Sequence, residues 1–198
     1  QAAAHGVWVG GSCAEIAPDA PADDQRVSNV FVLAGPDGTV HRYRKIHPFS
    51  HGGEDAYVRP GTDFVTVEIE GVRVSLFVCY DLRFANEFWA LAEDTDAYLL
   101  VANWPAKRRH HWQTLARARA IENQAYFVAV NRVGRDGAVD ADGKRTGQLD
   151  HCGDSMVVDP LGEVLVHAAG TETIIFADID TVHVASTRAH FKFLQDRR

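Results

Sequence analysis

Between residues 72 and 78, Val72, Val74, Leu76 and Val78 alternate with Arg73, Ser75 and Phe77, a period of two that predicts a β-strand. The pattern stops at Cys79, polar residues take over in Tyr80-Asp81-Leu82-Arg83, and residues 85–93 then read as a helix. Upstream, residues 29–33 and 39–44 alternate in the same way across Ala34-Gly35-Pro36-Asp37-Gly38. The Gly, Pro and Asp of that segment supply turn chemistry, so a hairpin is predicted, with Lys45 coming directly off its second strand. Residues 47–62 are rich in Gly, His and Pro without a clean period and read as a loop carrying Glu54. Residues 64–70 form a further alternating strand, which Gly71 turns into the strand ahead of Cys79.

Residues 97–102 are apolar throughout, as a central strand covered on both faces requires, and they end at Asn103-Trp104-Pro105. Residues 108–124 read as a helix with an apolar stripe of Trp112, Leu115 and Ala116, on which Arg119 and Glu122 are three apart and can pair. Residues 125–130 read as another buried strand, ending at Asn131. Residues 134–153 are Gly- and Asp-rich and read as a loop. Residues 156–158 then pair with 163–166 across Asp159-Pro160-Leu161-Gly162, whose Pro and Gly suit the second and fourth positions of a type I turn. Strands and helices alternate in the middle with hairpins on either side, which predicts α/β with a mixed sheet. No linker, low-complexity run or solenoid-period repeat interrupts residues 1–198, so one domain is expected. Residues 6–11 read as an interior strand very close to Gln1. A domain seldom begins on a core strand, so residues upstream of Gln1 are expected; a trimmed leader gives the same start.

The 198 residues are 46% hydrophobic, enough for a substantial core. A formal charge of −7 argues against a nucleic-acid partner or an anionic membrane, each of which rewards a basic face. The basic run Lys107-Arg108-Arg109-His110-His111 reads as a solvated helix entrance. No apolar stretch approaches bilayer length and the N-terminus carries no charged-then-apolar signal, so a cytoplasmic protein is expected. Cys13, Cys79 and Cys152 are odd in number and widely spaced, which indicates neither a disulfide framework nor a zinc ribbon. The ten histidines include no His-Glu-x-x-His, and no metal or cofactor is expected.

Strands ending at Lys45, Cys79, Asn103 and Asn131 can share one crevice, because ligands collect outside the carboxyl ends of strands in open α/β sheets. Cys79 lies at a strand-to-helix elbow, where unpaired N–H groups and a positive dipole end are expected to favour thiolate over thiol. A buried structural cysteine fits the same local pattern. Lys45 is a candidate partner, since an ammonium beside a thiol lowers its pKa and stabilises an oxyanion; a solvated surface lysine is the alternative.

Tyr43-Arg44-Lys45-Ile46-His47-Pro48-Phe49, Val78-Cys79-Tyr80-Asp81-Leu82-Arg83-Phe84, Ala102-Asn103-Trp104-Pro105, 118–124 and Asn131-Arg132-Val133-Gly134 together resemble the nitrilase, or carbon-nitrogen hydrolase, superfamily. They come in that family's order and are most similar to its ω-amidase-like and aliphatic amidase branch. The resemblance implies a four-layer αββα sandwich, here without its N-terminal strand and helix, and a Glu-Lys-Cys triad that takes ammonia from small carboxamides through a thioester. It also implies a homodimer or larger homo-oligomer. It carries the triad lysine onto Lys45 and the cysteine onto Cys79, and matches Glu54 to a second glutamate near the site. Tyr80 is expected to supply an oxyanion N–H, with Asn103 and Trp104 binding substrate.

The triad glutamate has no matching position and is expected upstream, since Glu15 corresponds to the acid of a Gly-Ser-x-x-Glu segment. Two further departures are Ala85, where the family often has proline, and the insertion 134–147, which is expected to alter a subunit contact or the pocket rim. Asp81 and Arg83 are expected to pair and fix the elbow. Three other readings stay open. One is a catalytically inactive binding or assembly subunit that lacks the base. Another is a nitrilase, N-carbamoylase or Cys-dependent acyltransferase. The third is a Cys-His thiol hydrolase or transferase using His47 or His51.

Overall fold

A computed structural model of the protein describes residues 1–16, 21, 23–24, 26–139 and 145–197. In chain order the elements are α1 (Ala2–His5), β1 (Val9–Glu15), β2 (Ser28–Ala34), β3 (Val40–Arg44), β4 (Thr66–Ile69), β5 (Val72–Val78), α2 (Ala85–Ala90) and β6 (Ala97–Ala102). They continue with α3 (Arg109–Asn123), β7 (Tyr126–Asn131), β8 (Val133–Val139), β9 (Arg145–Val158), β10 (Val164–Ala169) and α4 (Thr181–His190). Strands β1, β2 and β3 form a small antiparallel sheet. The larger sheet runs β10-β9-β7-β6-β5-β4, with β8 paired to β9. It is mixed, as expected: β5, β6 and β7 are parallel, whereas β4, β9 and β10 are antiparallel to their neighbours.

The turns behave as their residues dictate. Asp37 closes the β2–β3 hairpin by accepting from the Thr39 N–H (2.9 Å) and hydroxyl (2.7 Å). Glu70 and Gly71 both have positive φ (49° and 82°), the two-residue loop whose twist matches the strands it joins. Between β9 and β10, the Asp159 carboxylate accepts from the N–H groups of Leu161 and Glu163. Phe31, Leu33 and Tyr43 of the small sheet enter one core with Leu76, Phe77, Tyr98, Leu100 and Phe127 of the large one. Tyr43 meets Phe77 at 5.6 Å between ring centroids, and Phe77 stacks on Phe88 of α2 at 4.1 Å. Trp112, Ala116 and Ala120 bury the apolar stripe of α3 in that core. The result is an α/β sandwich.

Three expectations need correction. Residues 6–8 are not part of a strand: β1 runs Val9–Glu15, pairs with β2 and leaves Val9 45% exposed. Gly10 lets this strand lie close against β2, because a Cβ there would sit 2.7 Å from the Phe31 ring. Residues 85–93 are not one helix: a 3₁₀ turn Cys79–Arg83 precedes α2, and a second, Ala92–Asp94, follows it. Residues 134–153 are not a loop, since β8 and β9 pair from Val133↔Cys152 to Val139↔Arg145. Their Gly and Asp content hid this strand pairing; residues 140–144, within the 134–147 segment expected to be an insertion, lie outside the described residues. Helix α4 was not expected; Asp180 caps it by accepting from the Val182 N–H at 2.8 Å. No helix among the described residues is long and apolar enough to cross a membrane.

Candidate active site

Strand β5 ends at Val78, and the chain then turns so sharply that Cys79 adopts φ +49°, a left-handed conformation uncommon for a residue with a side chain. Asp81 closes the turn. Its carboxylate is fully buried and accepts from the Val78 N–H (3.0 Å) and the Tyr43 hydroxyl (2.8 Å) through Oδ2. Its Oδ1 accepts from the His47 N–H (3.0 Å) and lies 3.2 Å from His47 Nδ1. The expected Asp81–Arg83 pair therefore does not form, because donors from β3, the following loop and the elbow itself occupy both oxygens. Below the elbow, Arg119 of α3 donates twice to the Leu82 carbonyl, at 3.1 and 2.9 Å, and pairs with Glu122 at 2.7 Å as its spacing predicts.

Lys45 follows β3 directly and is 2% exposed. Its backbone is clamped on both sides, the N–H donating to Asn29 and the carbonyl accepting from Gly61, each at 2.8 Å. Glycine is required at position 61, since a Cβ there would collide with the Arg44 carbonyl. Lys45 Nζ meets Glu54 Oε2 at 2.5 Å. Glu54 also accepts from the Phe49 N–H (2.6 Å) and from Asn29 Nδ2 (3.2 Å). Burial works against its ionisation, but the Lys45 and Phe49 hydrogen bonds and the Lys45 charge outweigh it and hold the carboxyl below its ordinary range.

The Cys79 thiol goes the other way. Burial pushes its pKa up, aided by the negative charges of Glu54 and Asp81, and the Lys45 ammonium and the Asn103 N–H do not offset this. The expectation that the elbow favours thiolate is thus not met: the turn that starts on Cys79 is a single 3₁₀ turn, with few aligned peptides to oppose desolvation.

Asn103 leaves the end of β6 and is exposed. Trp104 beside it is buried, its N–H donating to Asn131 Oδ1 at 2.7 Å and its indole Nε1–H to the Arg108 carbonyl at 2.9 Å. Asn131, at the end of β7, completes the clamp with Nδ2 donating to Trp104 (3.2 Å) and Gly153 (2.7 Å) carbonyls. The half-buried Tyr80 packs edge-on against Phe49 and Phe84.

All six residues singled out from the sequence, Lys45, Glu54, Cys79, Tyr80, Asn103 and Trp104, line one cavity of about 500 Å³. Neither His47 nor His51 lines it. His47 faces the carboxylates of Asp81 and Glu87 and stacks on Phe84 at 3.6 Å, which holds its ring on the support of the elbow. The cavity also takes in Phe49, Arg83, Arg108 and Leu149, which the sequence reading did not assign to it. Arg108 was visible only as part of a basic run, and Leu149 only as part of a supposed loop. Among the described residues no cluster of three His, Cys, Asp or Glu side chains is arranged to hold a metal ion.

The carbon-nitrogen hydrolase family profile matches residues 1–189. The chain is 42% identical over 170 residues to the omega-amidase YafV of Escherichia coli K12, covering 85% of this chain and 62% of that protein. It is 36% identical over 177 residues to the 2-oxoglutaramate amidase of Paenarthrobacter nicotinovorans, covering 86% of this chain and 57% of that one. It therefore spans less than two thirds of the length of either relative. Among solved structures, a CN-hydrolase superfamily protein of Xanthomonas campestris with an arsenic adduct in its active site superposes with a TM-score of 0.84 at 36% identity. That match covers all of this chain and 71% of the other. Taken with the elbow at Cys79 and the buried Lys45–Glu54 pair, these likenesses establish that the chain belongs to the carbon-nitrogen hydrolase family of the nitrilase superfamily, in its ω-amidase-like branch.

Proposed function

We propose that the protein hydrolyses the C–N bond of a small carboxamide and releases ammonia, with Cys79 as nucleophile, and that it acts as a homodimer or larger homo-oligomer. The observation that carries this reading is the convergence of Cys79, held at φ +49°, with the Lys45–Glu54 pair in one cavity. Cys79 Sγ gives up its proton and attacks the amide carbonyl carbon. The resulting oxyanion is held by Lys45 Nζ and the Tyr80 backbone N–H, and a donor of this kind contributes about 3 to 4 kcal/mol. The amide nitrogen takes up a proton, the C–N bond breaks and ammonia leaves. Water then adds to the thioester, and the acid departs as the thiol is restored.

A thiol raised by burial needs a proton acceptor. Glu54 is the one carboxylate among the described residues that lines the cavity, and three donors keep it ionised. We assign it to orienting Lys45, and the base to a group outside the described residues. The names of the relatives favour short ω-amides as substrates and an active enzyme over a binding subunit. The arsenic adduct of the Xanthomonas protein fits a thiol centre, since soft ligands favour soft elements. Nitriles and N-carbamoyl acids belong in the same assay panel as competing substrates. Cys79→Ala is expected to lower ammonia release from ω-amides by at least roughly 10⁴-fold. Turnover within tenfold of the unsubstituted protein would overturn the assignment.

A further inference from the structure

Behind the backbone that carries Asn29 and Lys45 lies a second cavity, of about 330 Å³. One wall serves both. Val27, Asn29, Lys45 and Val58 line the catalytic cavity, whereas Ser28, Arg44 and Arg59, each one residue away in the chain, line the second. Extended backbone sends successive side chains to opposite faces, so the wall divides its residues between the two cavities. Its backbone is knitted together by the N–H groups of Arg59, Lys45 and Gly61, which donate to Val27, Asn29 and Lys45, each at 2.8 Å.

Arg42, Thr62 and Asp63 also line the second cavity. Arg42 is answered by Glu15 at 3.0 Å. Arg59 is not answered in this way: its Nη1 is buried and has no hydrogen-bond partner among the described residues. Asp24 feels the Arg59 charge, but both of its oxygens are taken by Arg26, at 2.9 and 2.8 Å. Ser28 is 1% exposed, and its hydroxyl likewise has no partner among the described residues. Glu15 Oε2 is a third such atom, but Glu15 does not line the cavity. Asp63 is the one acid among the described residues that does, and it is exposed and accepts from the Thr62 hydroxyl at 3.2 Å.

These observations converge on one ligand chemistry. Buried donors are seldom left unmade, and two beside one cavity call for a ligand that accepts from both. A cation would meet guanidinium groups, and a neutral ligand would leave the Arg59 charge unanswered. An oxyanion satisfies both requirements, since a guanidinium presents a planar fork of N–H groups that matches a carboxylate or a phosphate. We propose that the second cavity binds a small oxyanion, a phosphate or carboxylate group, through the Arg59 guanidinium and the Ser28 hydroxyl. The site is separate from Cys79 and does not rest on the reaction proposed above.

The test titrates the protein with inorganic phosphate and, separately, with acetate, by calorimetry and by thermal unfolding, with sodium chloride at matched ionic strength as the reference. At least one of the two anions is expected to bind with a Kd below about 10 mM and to raise Tm as it does so. Arg59→Gln is expected to weaken that binding at least about tenfold and Ser28→Ala at least about twofold. Neither substitution removes a side-chain hydrogen bond between described residues, so both variants report on the ligand and not on the fold. Arg108→Gln, in the catalytic cavity, is expected to leave the affinity unchanged. Tighter binding of phosphate than of acetate identifies a phosphate group as the ligand, and the reverse order identifies a carboxylate. The site is overturned if neither anion reaches that affinity, if either Arg59→Gln or Ser28→Ala has a smaller effect than stated, or if Arg108→Gln abolishes the binding instead.

Discussion

At Cys79 two sets of influences oppose each other: burial and the carboxylates of Glu54 and Asp81 raise the thiol pKa, while the Lys45 charge and the Asn103 N–H lower it. The first set wins, so the Cys79 pKa lies above that of an ordinary thiol. The sign fixes what a pH titration shows. Alkylation by iodoacetamide follows the thiolate, so its rate at Cys79 is expected to rise with a midpoint above the ~8.5 of an unperturbed thiol. Lys45→Met removes the main influence that lowers the pKa and is expected to move that midpoint higher still. Peptide-resolved alkylation across the pH range checks both; a midpoint below the unperturbed value would contradict the balance drawn here.

At the level of elements, the site exists because side chains at strand ends bind one another across the sandwich. Asp81 ties Tyr43 of β3 to the elbow after β5, which sets the small sheet's Lys45 facing the same cavity as the large sheet's Cys79. Asn131 performs the equivalent service between the ends of β7 and β6. Asn131→Ala strips the Trp104 N–H and the Trp104 and Gly153 carbonyls of a buried partner. Each orphaned buried group costs about 1 to 3 kcal/mol, and backbone relaxation recovers some of the total. A net loss of about 3 kcal/mol is expected, read as a fall in Tm of roughly 6 to 12 °C by calorimetry. A change in Tm under about 2 °C would show that Trp104 holds its place without this clamp.

Over the whole molecule, the parts that were legible in the sequence are those where one local rule dominates. The period-two runs of β2, β3 and β5, separated by Gly, Pro and Asp, announced their strands, and the abrupt change at Cys79 announced the elbow. Lys45 could be placed because it directly follows a strand. Other features depend on what lies across the fold. The β8–β9 pair is built from Gly- and Asp-rich residues whose pairing is set by β9 continuing into the large sheet, so composition misled. The Asp81–Arg83 pair failed because Tyr43 and His47, distant in sequence, reach Asp81 first. The rise of the Cys79 pKa is a burial effect, and burial is not written in a local run. Arg83 and Arg108 became site residues only when Trp104, Tyr80 and Phe49 were seen to hold them.

The central claim is that carbon–nitrogen cleavage passes through an acyl group on Cys79, and rapid acid quenching during turnover of an ω-amide, followed by mass spectrometry, tests it most directly. The account predicts that the peptide containing Cys79 carries the mass of the acyl group, that hydroxylamine removes it, and that Cys79→Ala shows none. An acyl group on Cys13 or Cys152, or steady ammonia release with no acylated peptide from a protein in which Cys79 has been replaced, would contradict it.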